Sequence, residues 1–195
     1  MSSVLDRNLF VVKEHVGMFK AANNFDVLDP ETGAEIMHCR EDNLGIITKL
    51  FRFTDYKRFT PFELEVRTPE GQRLLTVRRG FSMFLSKVRV FDENDVLLGG
   101  FKEKLFTIGG AFRVLDIDDN EICSLKGKWT GWNFRFLAGN HEMAQVSKKW
   151  AGIGKELFTT ADTYVLQIDE SVPAGSPGRK LIIAAVLCID MVLKE

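Results

Sequence analysis

The sequence predicts a mainly β protein: a closed twelve-stranded antiparallel β-barrel enclosing a C-terminal hydrophobic α-helix. Three observations predict it. Apolar and charged residues alternate with a period of two through most of the chain, as in Phe62, Leu64 and Val66 against Glu63, Glu65 and Arg67. Turn-forming clusters interrupt that alternation at five places. Near the end the period changes, and Leu181 to Leu193 carries a single charge, Asp190, in thirteen residues. Such a chain needs a sizeable core, and 195 residues supply one as a single domain over 1–195.

The elements follow in order. Leu9 to Glu14 reads as a first strand. The turns are Asp29 to Gly33, Pro69 to Gly71, Asp92 to Asp95, Asp118 to Asn120, and Gly139 with Asn140. Each lies between two strand-like runs and reads as a hairpin tip. The five hairpins are 25–29/34–40, 62–68/73–79, 87–92/96–103, 112–117/121–128 and 133–138/143–149. Tyr164 to Asp169 makes the twelfth strand, so the strands occupy about 9–170. Closure into a barrel removes the exposed edges such a sheet would carry, with a sandwich as the alternative. Val172 to Gly178 is a loop rich in helix breakers, and a helix follows over about 179–194. A membrane-spanning helix needs about 20 apolar residues, whereas a run of this length suits a buried core helix. A helix that is apolar all round must be enclosed, and the barrel is what encloses it. A membrane anchor is the competing reading of the same segment. Asp190, if buried, requires a partner or a raised pKa.

Composition excludes several classes. At 45% hydrophobic and 27% charged the chain is neither disordered, collagen-like nor a multi-span membrane protein. Lys+Arg of 26 against Asp+Glu of 27 gives a net charge of -1, which argues against a nucleic-acid partner held by bulk charge. Met1 to His15 lacks the pattern of a secretory signal. Cys39, Cys123 and Cys188 are dispersed, as reduced, buried thiols of a cytoplasmic protein would be.

Three stretches resemble the phospholipid scramblase / LURP-one-related family. They are Phe25 to Glu31 running through Gly33 to Arg40; Lys87 to Asp92 with Leu98-Gly99; and Lys149-Trp150, Lys155 to Thr159, Ala161-Asp162 and Tyr164, ending in the apolar helix with Asp190. The resemblance implies the tubby-like fold, a twelve-stranded barrel around a central helix. It also implies a scramblase-like role: calcium-dependent phospholipid movement in animal members, phosphoinositide binding in tubby-type barrels, defence in plant members. Two departures stand out. The sequence begins almost at the barrel, without a proline-rich arm or a cysteine cluster for palmitoylation, the second signal that stable anchoring takes. The family's Asp-Ala-Asp calcium segment is here Thr160, Ala161, Asp162, one carboxylate short. Asp162 and Asp169 remain as weak calcium candidates; no other cofactor is expected.

No chemistry beyond this is legible. Asp116, Asp118 and Asn120 open like a calcium loop, but Glu121 and Gly127 stand where Gly and Glu belong, so a hairpin tip is the better reading. Gly152, Gly154 and Lys155 fail as a phosphate loop, because Lys149 and Glu156 occupy its other fixed positions. No nucleophile elbow or triad context is present, so the protein is read as a non-enzyme. Basic residues are more suggestive. Arg78 and Arg79, Lys87 and Arg89, Lys102 and Lys104, and Lys126 and Lys128 occur in pairs near strand ends. Residues two apart share a face, so these pairs are expected to project together as a patch for anionic lipid head groups. Outward-alternating charge on a solvated barrel is the plainer reading of the same residues. Trp129, Trp132, Trp150 and the 16 Phe are assigned mainly to the core. The expected function is therefore a cytoplasmic, scramblase-like protein binding an anionic phospholipid membrane surface peripherally. The alternative is a protein-interaction or regulatory module with a protein partner and no lipid function.

Overall fold

A computed structural model of the chain describes residues 3–15, 24–41, 61–80, 87–103, 112–128, 133–148 and 163–193; for residues 103, 128 and 189–193 it describes the backbone alone. The twelve strands are β1 (Leu9–Glu14), β2 (Phe25–Leu28), β3 (Glu35–Arg40), β4 (Phe62–Arg67), β5 (Arg73–Arg79), β6 (Lys87–Asp92), β7 (Leu97–Glu103), β8 (Phe112–Leu115), β9 (Glu121–Lys128), β10 (Asn133–Ala138), β11 (His141–Ser147) and β12 (Thr163–Ile168). A turn of 3-10 helix, Val4–Asp6, precedes β1, and helix α1 (Pro177–Leu193) follows β12. Every strand pairs antiparallel with the next in sequence. β1 pairs with both β2 and β12, which closes the barrel and leaves no sheet edge.

Alternation explains the wall. In β6 and β10 the pattern is exposed, buried, exposed, buried, so Val88, Val90, Phe134 and Phe136 point inward while Lys87, Arg89, Asn133 and Arg135 point out. At the closing seam it gives way to continuous burial, from Phe10 to Val12 in β1 and from Thr163 to Leu166 in β12. Both faces of the seam are therefore covered.

Eight consecutive residues of α1, Leu181 to Cys188, are buried. At about 100° per residue they sample every side of the helix, so the barrel surrounds it. It packs against β5, β7, β8, β12 and the 3-10 turn. Met37, Leu64, Val77, Phe101 and Phe134 belong to the same core cluster. Burying each such side chain is worth about 1.5–3 kcal/mol, which is what holds the helix in place. Among the described residues no helix is long and apolar enough to cross a membrane.

Element ends differ from expectation by a residue or two, each for a local reason. α1 starts at Pro177, ahead of the expected 179, because Pro suits the first helical position and the Ser176 hydroxyl accepts the Arg179 amide proton at 3.3 Å. β8 stops at Leu115, because Asp116 turns the chain by accepting the amides of Asp118 and Asn120, both at 2.9 Å. β11 starts at His141, since Gly139 takes a positive φ of 61° and the turn closes in two residues.

Arg179 ties the helix start to the rest. Only 2% exposed, it donates to the carbonyls of Asp6 (3.2 Å), Arg7 (2.6 Å) and Val172 (2.7 Å) and to Asn8 Oδ1 (2.8 Å). Burial lowers its pKa, against the opposing charge of Asp6.

Candidate functional site

Strand register gathers basic residues on one outer stretch of the wall. Lys87 on β6 stands directly opposite Lys102 on β7, which stands directly opposite Arg113 on β8. Arg78 on β5 faces Arg89 on β6, and Lys126 on β9 faces Arg135 on β10. Directly opposed side chains begin about 4.5–5.5 Å apart, and like charges so placed repel. The fold therefore sets cations side by side across β5 to β10.

Several of these cations carry a local counter-charge. Arg78 Nε donates to Glu63 at 2.7 Å, and its Nη2 reaches Asp95 at 3.4 Å. The Glu63 hydrogen bond chiefly raises the Arg78 pKa, and its guanidinium lies 4.9 Å above the Phe91 ring. Lys87 Nζ contacts both oxygens of Asp119, at 2.6 and 2.7 Å. Arg113 approaches Glu121 at 3.9 Å, and Arg135 approaches Glu142 at 3.4 Å. Arg89, Lys102 and Lys126 form no ion pair among the described residues. The candidate site is thus a row of cations on β6 to β8, with Lys102 at its middle and Arg89 beside Lys87 on β6, neither ion-paired among the described residues.

The expected pairs are only partly met. Arg79 does not join the outer face. It is 5% exposed, its guanidinium lies 4.6 Å over the Phe62 ring, and its charge reaches the Cys188 thiol. Adjacent strand residues point to opposite faces, so Arg78 and Arg79 separate. Lys87 and Arg89 do project together. Lys104 lies outside the described residues. Lys128 is described by its backbone, opposite Asn133. Arg113 and Arg135 were not anticipated. Each alternates with buried neighbours, Phe112 and Val114 or Phe134 and Phe136, a signal readable in sequence, but their place beside other cations depends on register.

Of the two calcium candidates only Asp169 lies among the described residues; Asp162 lies outside them. Asp169 accepts the Ser171 hydroxyl at 2.5 Å and amide at 2.9 Å, bonds that hold its carboxyl pKa below the ordinary value. Among the described residues no group of three or more His, Cys, Asp or Glu is placed to hold a metal ion.

One constellation escaped sequence reasoning. His141 Nε2 lies 2.7 Å from Ser171 Oγ and 3.8 Å from Asp169 Oδ1. A hydrolytic triad needs the imidazole between serine and acid, each on a different ring nitrogen. Here Ser171 donates to Asp169, and Nε2 faces both, so the group is an exposed turn network rather than an activated serine. The thiols are no better as nucleophiles: burial, helped by the Glu121 charge at Cys123, pushes Cys123 and Cys188 up to about 12.

Fold and site together define a class: a meander barrel filled by its own helix, with a basic outer face. The family model described as Scramblase matches residues 7–195, and the chain belongs to the scramblase family. This agrees with the scramblase / LURP-one-related resemblance carried by the motifs. No curated protein matches the chain. Among solved structures, the X-ray structure of an Arabidopsis thaliana protein is similar over 97% of this chain and 98% of that one, with a TM-score of 0.52 and 16% identity. At that identity the likeness carries the fold alone.

Proposed function

We propose that the protein associates peripherally with anionic phospholipid head groups through the basic outer face of β6 to β8, without covalent catalysis. The observation that supports this reading is the cross-strand row Lys87, Lys102 and Arg113, with Arg89, which forms no ion pair among the described residues, beside it. Cations near an anionic leaflet contribute about 1 kcal/mol each, so a few give weak, reversible, salt-sensitive binding. Anionic lipid faces the cytoplasm, which makes the inner membrane surface the location under this reading. Because α1 fills the barrel, the reading puts lipid on the outside of the wall. Calcium is an added variable through Asp162 and Asp169, and phosphoinositides are candidate ligands among the anionic lipids.

Flotation with neutral and anionic liposomes, with and without calcium, at two salt concentrations tests this. Binding to anionic vesicles alone, weakened by salt and reduced severalfold by Lys102→Glu, is the expected result. Charge reversal of Lys126 and Lys128 tests whether the face extends to β9. No flotation under any condition, by the wild type or by any variant of this face, overturns the proposal. A second reading, a protein-interaction module, draws on Val96, Leu97 and Ile117, which stand exposed on the tips of the neighbouring β6–β7 and β8–β9 hairpins.

A further inference from the structure

We propose that Asp119 is a built-in competitor for the anion-binding face, a carboxylate that occupies Lys87 in the place an anionic head group would take. This rests on the reading that the basic face binds anionic lipid. Lys87 is on β6 and Asp119 on the β8–β9 turn, so the contact reaches across the outer face of β7. The β7 residue directly opposite Lys87 is Lys102, so the Asp119 carboxylate sits on Lys87 next to a second cation of the face. Asp119 itself holds a left-handed backbone, φ 64°, at the outer corner of the turn. Its neighbour Asp118 makes no ion pair among the described residues. One turn thus carries two exposed acids, of which one is spent on the basic face.

A carboxylate with both oxygens on Lys87 offers what a phosphate or carboxylate head group offers, so the two exclude each other at that cation. Removing the competitor returns one cation to the face. The test is co-sedimentation of the full chain with phosphatidylcholine vesicles, with and without phosphatidylserine. Asp119→Asn suits the test because Asn tolerates the left-handed backbone. It should raise partitioning onto the anionic vesicles about fivefold, the weight of one added cation. Asp118→Asn, which changes net charge equally, should change it little. In a Lys87→Met background Asp119→Asn should lose its effect. Equal gains from both asparagine variants, a gain that persists without Lys87, or no gain from Asp119→Asn overturns the inference, and wild-type binding then still stands or falls separately. If wild type stays free while Asp119→Asn binds, the competitor is fully effective and the inference holds. If neither binds, the inference falls together with the lipid reading.

Discussion

At the scale of single residues, Asp26 shows how the outer wall is held by charge. Burial raises its pKa, but hydrogen bonds from Arg40 (2.5 Å) and His15 (2.5 Å), with their charges, outweigh it and leave the carboxyl below its ordinary 3.8. A depressed acid contributes stability above its unfolded pKa and loses it as pH falls through the folded value. Asp26→Asn should therefore lower stability by about 1–2 kcal/mol at neutral pH. That difference should hold down to about pH 5 and shrink below 3.8, which melting curves of the pair across pH would check. The thiols make a second residue-scale prediction. With pKa values near 12, Cys123 and Cys188 should resist iodoacetamide at pH 8 in the folded protein and react once it is unfolded, as read by intact mass.

At the scale of elements, strands were legible in sequence because half-buried strands must alternate and hairpin tips must use special residues. β4 reads directly from Phe62, Leu64 and Val66, and the β8–β9 turn from Asp116 to Asn120. The proposed lipid-binding face was less legible. Lys87 and Arg89 share a strand and could be paired from spacing, whereas the Lys87, Lys102, Arg113 row is set by register. A bulge shifts β6 against β7 between Val90 and Phe91, which moves the Lys87–Lys102 pairing by a residue. A one-residue shift moves every later side chain to a different neighbour, and no local pattern reports it. Arg79 departs from the expected outer pair because it lies two residues beyond inward-facing Val77 and so shares its face. Glycines at close strand approaches supply the element-scale prediction. Gly127 has φ 140°, and a Cβ there would stand 2.3 Å from the Asn133 carbonyl oxygen, whereas Gly71, φ 91°, has open space. Gly127→Ala should cost about 2–3 kcal/mol or prevent folding, and Gly71→Ala distinctly less, in denaturant titrations.

At the scale of the whole molecule, α1 is the core and the barrel is its container. Leu187→Ala should cost about 2–5 kcal/mol, because the wall has no second core to collapse onto. Deleting residues 179–195 should leave a chain that does not fold; a folded, soluble barrel from that deletion would return the helix to the anchor reading. Arg179→Ala should also destabilise strongly, since it frees the carbonyls of Asp6, Arg7 and Val172 from one buried donor. The closing seam has a consequence in time. Eleven of the twelve pairings join consecutive strands and form as the chain lengthens, but the β1–β12 pairing joins Leu9 to Gln167. Until β12 is synthesised the growing sheet has two open edges and an unfilled apolar face. Nascent chains stalled before that point are the species most exposed to aggregation and to chaperones, and ring closure is the step that ends the exposure.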